Sequence, residues 1–394
     1  MANYQAYLEK LFSQLKTIGP QQEQMFDQLL AENDSPIILY GSGNLGGKLA
    51  LAMKNEFDGK IFFTDKNPNN WGKRLHSTPV LPLPEAAIKY GEKSIFIITV
   101  FNRGANCEYN DIERELRDIG IDKCIPFSIP AWKYQHELLP HFFIGTYRNI
   151  LPYTSEIKKA FSLFSDEKSQ RIFIDFAQVS LIAPIKKFSQ PDSAPQYFTP
   201  EVISSLPNQV IFVDCGAYDG DTLRDALKYI GSEKISEYHA LEPDSLNFKK
   251  LTDFVATLPS DLKDRIYCYH SAVGNRNGYV RMQEVGTESA YGLPQLNGDV
   301  PCKILDEVFH GKSCNFIKMD IEGSEVEALI GSKILIQKHS PILAISIYHK
   351  PEDFFRIPLL INDTINYASI TLNSHMSNLF ETILYCLPAE HKVT

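Results

Sequence analysis

The sequence predicts an α/β protein made of two successive sheet-bearing units, and three features point to it. Short apolar runs alternate with helical patterns twice, over residues 36–130 and again from residue 209. Each series opens with an apolar strand that runs straight into a glycine-rich turn and a helix. The length, 394 residues, is right for two or three domains.

Taken in order, residues 1–35 read as N-terminal helices. Tyr4, Tyr7, Leu8, Leu11, Phe12 and Leu15 recur at helical spacing, Gly19-Pro20 breaks the pattern, and Met25, Phe26, Leu29 and Leu30 resume it. Such a helical pair packs on its own chain or on a second copy, so a homodimer is one compatible assembly. Residues 36–130 form the first α/β unit, with strands at Pro36–Tyr40, Lys60–Thr64 and Ser94–Val100 and a helical stretch from Cys107 to Ile119. Residues 131–208 read as a mostly helical connector, rich in aromatics and therefore packed between the sheets, with a loop at 189–195. Residues 209–394 hold the second, larger unit. Its strands fall at Val210–Val213, Glu237–Leu241, Ile266–Tyr269, Asn315–Met319 and Ile342–Ile347. Tyr367–Leu372 and Glu381–Leu387 pair as a terminal antiparallel hairpin.

Composition narrows the function. Lys and Arg number 39 against 48 Asp and Glu, a net charge of −9 without any basic block, which speaks against nucleic acid as a partner. No apolar run reaches the ~18 residues that cross a bilayer, and the N-terminus lacks a secretory pattern. Seven scattered cysteines with no C-x-x-C pair fit buried thiols in a reducing, cytoplasmic setting.

The first turn satisfies G-x-G-x-x-G through Gly41, Gly43 and Gly46, with Asp65 ending the next strand 22 residues beyond Gly43. Glycines there permit close approach of a phosphate to backbone N–H groups at a positive helix end, and the carboxylate can accept from ribose hydroxyls. The alternative is a turn kept only for strand–helix packing. A nucleotide-sugar- or NAD-linked enzyme using this unit would also need a catalyst such as Tyr-x-x-x-Lys, and none of the 19 tyrosines has a Lys four residues on.

The second turn reads D-x-G-x-x-x-G: Asp214, Gly216, Ala217, Tyr218 and Gly220. N–H groups near Gly216 can take a carboxylate, and Asp214 can attract an ammonium. Glu242 ends the next strand, placed to accept both hydroxyls of a ribose, and Ser271 and Ala272 follow the third strand, where an adenine would pass. Carboxylate, amine and ribose together describe S-adenosylmethionine. Tyr218 would cover its methionine part.

The ordered series Gln196-Tyr197-Phe198, Val213 to Thr222, Leu241-Glu242-Pro243, Ser271 to Gly274, Ile317 to Glu325 and Ile345 to Asp353 resembles the FkbM family of S-adenosylmethionine-dependent methyltransferases. The likeness spans about Ser165 to Leu387. It implies a class I methyltransferase fold, a Rossmann-like seven-stranded sheet in the order 3-2-1-4-5-7-6 whose strands 6 and 7 are the hairpin. The preceding residues resemble, more loosely, a smaller Rossmann-like α/β domain attached to some members. The family implies methyl transfer to oxygen, usually a hydroxyl of a sugar or polyketide-type product. Where it often carries a basic Arg-His segment in the hairpin, this chain has Leu372-Asn373-Ser374-His375.

Methyl transfer to an alcohol asks for a base. His349, just past a strand at the carboxyl edge of the sheet, is the first candidate, and Asp320, ending the strand before it, the second. Glu322 would orient the acceptor or join Asp320 around a divalent cation. Ser324-x-x-Glu327 fits a capping box, with Gly331 as the stop. Residues 286–292 are a candidate acceptor loop. The favoured expectation is thus an S-adenosylmethionine-dependent O-methyltransferase acting on a sugar, glycan or related small metabolite. The alternatives are a nucleotide-sugar- or NAD-binding enzyme working through the first turn, and a non-catalytic binding protein.

Overall fold

A computed structural model describes residues 4–31, 35–57, 59–101, 109–181, 188, 190–283, 291–294 and 298–389. One continuous helix, α1 (Tyr4–Ala31), opens the chain and carries Pro20 inside it. The expected break at Gly19-Pro20 is therefore absent. Tertiary packing overrides the proline: a Cβ on Gly19 would stand 2.6 Å from the Tyr147 ring, so the bare backbone lets that ring pack directly on the helix beside Pro20.

The first sheet follows, built of β1 (Ile37–Tyr40), β2 (Ile61–Asp65), β3 (Arg74–Leu75), β4 (Thr78–Pro82), β5 (Ile95–Ile98) and β6 (Cys124–Pro126), in the order β3-β4-β2-β1-β5-β6. Apart from the β3–β4 hairpin its neighbours run parallel. Helices α2 (Asn44–Met53), α3 (Leu83–Tyr90) and α4 (Tyr109–Asp118) are its crossovers. β1 and β5 are buried along their whole length, as strands covered on both faces must be.

The connector is α5 (Ser128–Lys133), α6 (Gln135–Leu138), α7 (Tyr147–Ile150), α8 (Thr154–Phe161), α9 (Glu167–Leu181) and α10 (Pro200–Ser205). One apolar core runs from α1 through β1, β2 and β5 into Trp132, Phe143, Phe173 and Phe176 of the connector, and on to Ile317, Leu343, Phe354 and Phe380. The two sheets thus share a core, and the connector is its middle.

The second sheet comprises β7 (Val210–Cys215), β8 (Ile235–Leu241), β9 (Ile266–Tyr269), β14 (Phe316–Met319), β15 (Ile342–Ser346), β16 (Ser369–Ser374) and β17 (Thr382–Leu387), in the order β16-β17-β15-β14-β7-β8-β9. All pairs are parallel except those of β17, which lies antiparallel between β15 and β16. Helices α11 (Asp221–Tyr229), α12 (Ser245–Ala256), α13 (Ser260–Lys263), α14 (Leu305–Val308), α15 (Glu325–Ile330), α16 (Lys333–His339) and α17 (Asp353–Thr364) flank it. A small sheet of β10 (Ala272–Val273), β11 (Gly278–Gln283), β12 (Tyr291–Pro294) and β13 (Val300–Lys303) sits beyond β9. No helix among the described residues is long and apolar enough to cross a membrane. Cys124, Cys215, Cys268, Cys302, Cys314 and Cys386 are free thiols, and Cys107 lies outside the described residues.

Candidate active site

The carboxyl edges of both sheets open onto a single cleft of about 2270 Å³. Gly41–Leu45 and Asp65 line it from the first unit. Gly216, Tyr218, Glu242, Ser271, Ala272, Asp320, Glu322 and His349 line it from the second. Open α/β sheets hold ligands at this edge because strand ends and helix starts leave backbone groups and loop side chains facing outward there.

Gly216 follows β7 with φ +81°, and a Cβ on it would lie 1.9 Å from the Asp320 carbonyl oxygen. Only glycine lets the two strand ends close up. The N–H groups of Gly216 and Ala217 both donate to the Leu241 carbonyl (2.9 and 3.1 Å), and that of Gly220 donates to Ala217 (2.8 Å). The N–H groups of Gly216 and Ala217 tie the turn to β8, so the ligand carboxylate expected near Gly216 would have to be met from elsewhere around the turn. Ala217 is fully buried. Asp214 also departs from expectation. Its carboxylate is buried, one oxygen 3.0 Å from Lys318 Nζ and the other accepting the Tyr238 hydroxyl at 2.7 Å, and it does not line the cleft. A direct ammonium contact from Asp214 is thereby excluded.

Lys318 is a residue the sequence reading passed over. It sits mid-strand in β14, donates to the Gly216 carbonyl at 2.5 Å and lines the cleft. Burial opposes its charge, but Asp214, Asp320 and Asp221 outweigh it, so the ammonium titrates above the ordinary lysine range. A lysine inside the apolar run Phe316–Met319 was the available signal, because a buried cation needs partners.

Glu242 is 5% exposed and held from two sides, Oε2 accepting the Tyr218 N–H at 2.9 Å and Oε1 the Asp244 N–H at 2.7 Å. Burial pushes its acid up to about 7 against those two donors. Ser271, 1% exposed, lines the cleft with an Oγ that has no hydrogen-bond partner among the described residues. An orphaned buried hydroxyl beside a cradled carboxylate fits a nucleoside, its sugar diol on Glu242 and its base beside Ser271 and Ala272. The residues present therefore suit the cofactor expected from the sequence.

On the opposite wall Asp320 receives Tyr197 Oη at 2.9 Å and Tyr348 Oη at 3.1 Å. His349 Nε2 lies 3.3 Å from Asp320 and 3.6 Å from Glu322, and its Nδ1 lies 2.9 Å from Glu325 Oε1. Burial works against protonation, yet Glu325, Glu322 and Asp320 together raise His349 to about 10. Three carboxylates around the ring favour its protonated form, which weighs against His349 as the first-choice base and towards Asp320. Glu322 (φ +52°) and Gly323 (φ +93°) coil the loop after β14 so that Asp320 and Glu322 both face His349. Asp320, Glu325 and His349 each offer a ligand atom, all within 4.8 Å of one another, but a divalent cation there would have to displace the ring proton that the carboxylates favour.

The capping box does not form. Ser324 makes no side-chain cap bond, and Glu325, not Glu327, accepts a loop N–H, that of Ile321 at 2.9 Å. Gly331 does end α15, and a Cβ there would lie 2.1 Å from the Gly274 carbonyl. His375 bonds to Tyr385 Oη (2.9 Å) and the Ala194 carbonyl (3.2 Å), outside the cleft lining. Of the expected acceptor loop, residues 286–290 lie outside the described residues, while Tyr291 and Gly292 belong to β12.

In the first unit, Gly43 has no atom within 4 Å of where a Cβ would stand, whereas one on Gly46 would be 2.2 Å from the Gly41 carbonyl. Asp65 is already taken: Oδ2 accepts from Ser42 N–H (3.0 Å), Ser42 Oγ (2.5 Å) and Asn70 Nδ2 (3.0 Å), and Oδ1 from Asn67 N–H (2.8 Å). Burial raises its acid, but these donors more than offset that and hold it below the ordinary aspartate value. Ser42 Oγ thus already donates to the carboxylate that was expected to accept from ribose hydroxyls.

No curated protein matches the sequence. Residues 214–382 match the methyltransferase FkbM domain family. The crystal structure of a methyltransferase FkbM from Methylobacillus flagellatus KT superposes with a TM-score of 0.74 at 18% identity, covering 98% of this chain and 99% of that one. A putative tRNA (m1A22) methyltransferase from Streptococcus pneumoniae reaches only TM-score 0.30 at 14% identity, over 49% of this chain and 71% of that one. A Rex-family repressor reaches 0.20 at 21%, over 26% and 52%. These two are too distant to bear on the fold. Residues 214–382 thus match the methyltransferase FkbM domain family, and the chain shares its fold along nearly its whole length with the M. flagellatus protein.

Proposed function

We propose that the protein is an S-adenosylmethionine-dependent O-methyltransferase whose acceptor is a hydroxyl of a sugar or related small polar metabolite. The observation that carries this is the placing of Glu242, cradled by two N–H groups, on one wall of the cleft that has Asp320 and His349 on the other. The strand order is that of a class I methyltransferase, with β7 as the first strand, and this supports the same reading.

The cofactor supplies an activated methyl on a sulfonium, and the chain does the rest. Glu242 would accept from the sugar diol, Lys318 would pair with the carboxylate of the amino-acid part, and Asp221, which also lines the cleft, would take its ammonium. On the acceptor side, Asp320 would take the proton of the acceptor hydroxyl, and His349 would stay protonated. Its imidazolium, pinned at Nδ1 by Glu325, holds Asp320 ionised and oriented. Tyr197 and Tyr348 fix the rotation of the Asp320 carboxylate, which places the base for in-line attack. The wall bears Asp320, Glu322 and Glu381, so it favours hydroxyl donors and repels anions.

A calorimetric titration with S-adenosylmethionine, S-adenosylhomocysteine, NAD and a UDP-sugar tests the reading. It predicts heat from the first two alone. Heat from NAD or the UDP-sugar alone would transfer the working site to the first unit, and binding without methyl transfer across a broad acceptor panel would favour a non-catalytic binding protein.

A further inference from the structure

The cleft is larger than one cofactor needs, since pockets for a drug-sized ligand run about 300–1,000 Å³. Beyond Asp320 it continues between the two units. There the first unit and connector contribute Phe101, Pro140, His141 and Phe142, and the second contributes Gln196, Met376 and Glu381. We infer that this interdomain end is the acceptor subsite, built for a neutral polyhydroxylated six-membered ring, and that the N-terminal unit serves the reaction by supplying its apolar wall. The inference rests on the function proposed above and names its substrate class.

The polar half is joined to the base. Tyr348 Oη donates 3.1 Å to Asp320 and lies 3.2 Å from Glu381 Oε2, which also receives Gln196 Nε2 at 2.6 Å. Gln196 Nε2 in turn contacts Tyr197 Oη at 3.0 Å, and Tyr197 donates to Asp320. A ring with one hydroxyl at Asp320 therefore has its neighbouring hydroxyls beside a carboxylate and a carboxamide whose positions are already fixed.

The apolar half comes from the other unit. Phe101 and Phe142 are half-buried and rest on the fully buried Phe380, at 5.0 and 4.9 Å between centroids. A pyranose or cyclitol presents C–H bonds with slight positive charge on one face, which suit the negative face of such rings. His141, packed on Phe101, Phe127 and Phe142, is kept neutral, burial lowering it to about 4. Its Nε2 is buried and has no hydrogen-bond partner among the described residues, so a neutral polar atom stands just behind the aromatic wall. Phe142 (φ +49°) and Glu381 (φ +53°) both hold left-handed backbone, and such strain persists where packing imposes a particular geometry.

The test is saturation-transfer NMR on the full chain, with and without S-adenosylhomocysteine, using methyl β-glucopyranoside, myo-inositol, glucosamine and glucose 6-phosphate as probes. Methyl β-glucopyranoside or myo-inositol should receive saturation, strongest on ring C–H protons. Phe142→Ala and Glu381→Gln should each cut it by about fivefold, as loss of one aromatic or hydrogen-bond contact implies. Both variants should keep the wild-type melting temperature within a few degrees and bind the homocysteine nucleoside as the wild type does. Saturation of neither neutral probe, of only glucosamine or glucose 6-phosphate, or equal saturation in the variants would overturn the subsite. Failure of the nucleoside alone to bind would instead overturn the proposed function, and the spectra taken without it keep the two apart.

Discussion

Replacing Glu242 by Gln probes the cofactor wall with a near-isosteric change. The wild-type acid sits at about 7 against an ordinary 4.5, because burial outweighs the donors Asp244 and Tyr218. A folded-state value above the unfolded one means the folded protein holds the proton more tightly. The carboxyl thus favours folding at low pH, and this contribution is lost as pH rises from about 4.5 to 7. The difference corresponds to about 3 kcal/mol of destabilisation by the buried charge at pH 8. Gln removes that charge but keeps only one acceptor for two N–H donors, at a cost of about 1–3 kcal/mol. Stability at pH 8 should therefore change by no more than about 2 kcal/mol either way. Binding should change far more. Two charge-assisted hydrogen bonds to a diol contribute about 1.5–3 kcal/mol each, so S-adenosylhomocysteine should weaken by roughly 100-fold or more. Only ionised Glu242 accepts from both hydroxyls, so wild-type affinity should rise about tenfold from pH 6 to pH 8, while Glu242→Gln shows no such rise. Calorimetry at both pH values with a urea melt at pH 8 measures all three. A variant that binds within threefold of wild type with the same pH profile refutes the reasoning.

Other sites give further expectations. Asp320→Asn should lower kcat by roughly 10²- to 10⁴-fold with nucleoside binding retained, as loss of a general base requires, and an unchanged kcat would move the base elsewhere. His349→Ala should leave nucleoside binding intact and slow turnover. It also leaves Glu325 without its 2.9 Å partner, so a stability loss of about 3–5 kcal/mol should appear in a urea melt. Lys318→Met strands Asp214 and should cost a similar ~3–5 kcal/mol, whereas the double variant Asp214→Asn, Lys318→Met should cost clearly less than the sum of the singles. Gly216→Ala places a Cβ 1.9 Å from the Asp320 carbonyl in left-handed backbone and should lower the melting temperature and abolish nucleoside binding together.

Strand–turn–helix units were readable because each apolar run stops at glycine or acid. Ile37–Tyr40 with Gly41 and Phe316–Met319 with Asp320 fall where the spacing put them, while the strand expected over Val210–Val213 runs on through Asp214 to Cys215 before Gly216. The short β3, β4 and β6 were missed because two to five residues carry too little periodicity, and β10 to β13, of two to six residues each, for the same reason. In the site, positions along the chain placed Gly216, Glu242, Asp320 and His349 at one edge, since strand ends are set by local pattern. Protonation states were not legible. His349 reads as a base until Glu322 and Glu325 come within 3.6 and 2.9 Å of it, and those contacts depend on the left-handed turn at Glu322. Asp214 and Lys318 answer each other across adjacent strands in register, a pairing that only the sheet order reveals. Asp65 reads as a ribose partner until Ser42, Asn67 and Asn70 are seen to saturate it.

A crystal grown with S-adenosylhomocysteine decides the matter. The nucleoside should lie between the Gly216 turn and Glu242, its ribose hydroxyls on that carboxylate, its adenine beside Ser271 and its sulfur turned toward Asp320. Density for it at the Gly41–Gly46 turn, or its absence beside Glu242 at saturating concentration, would contradict the account.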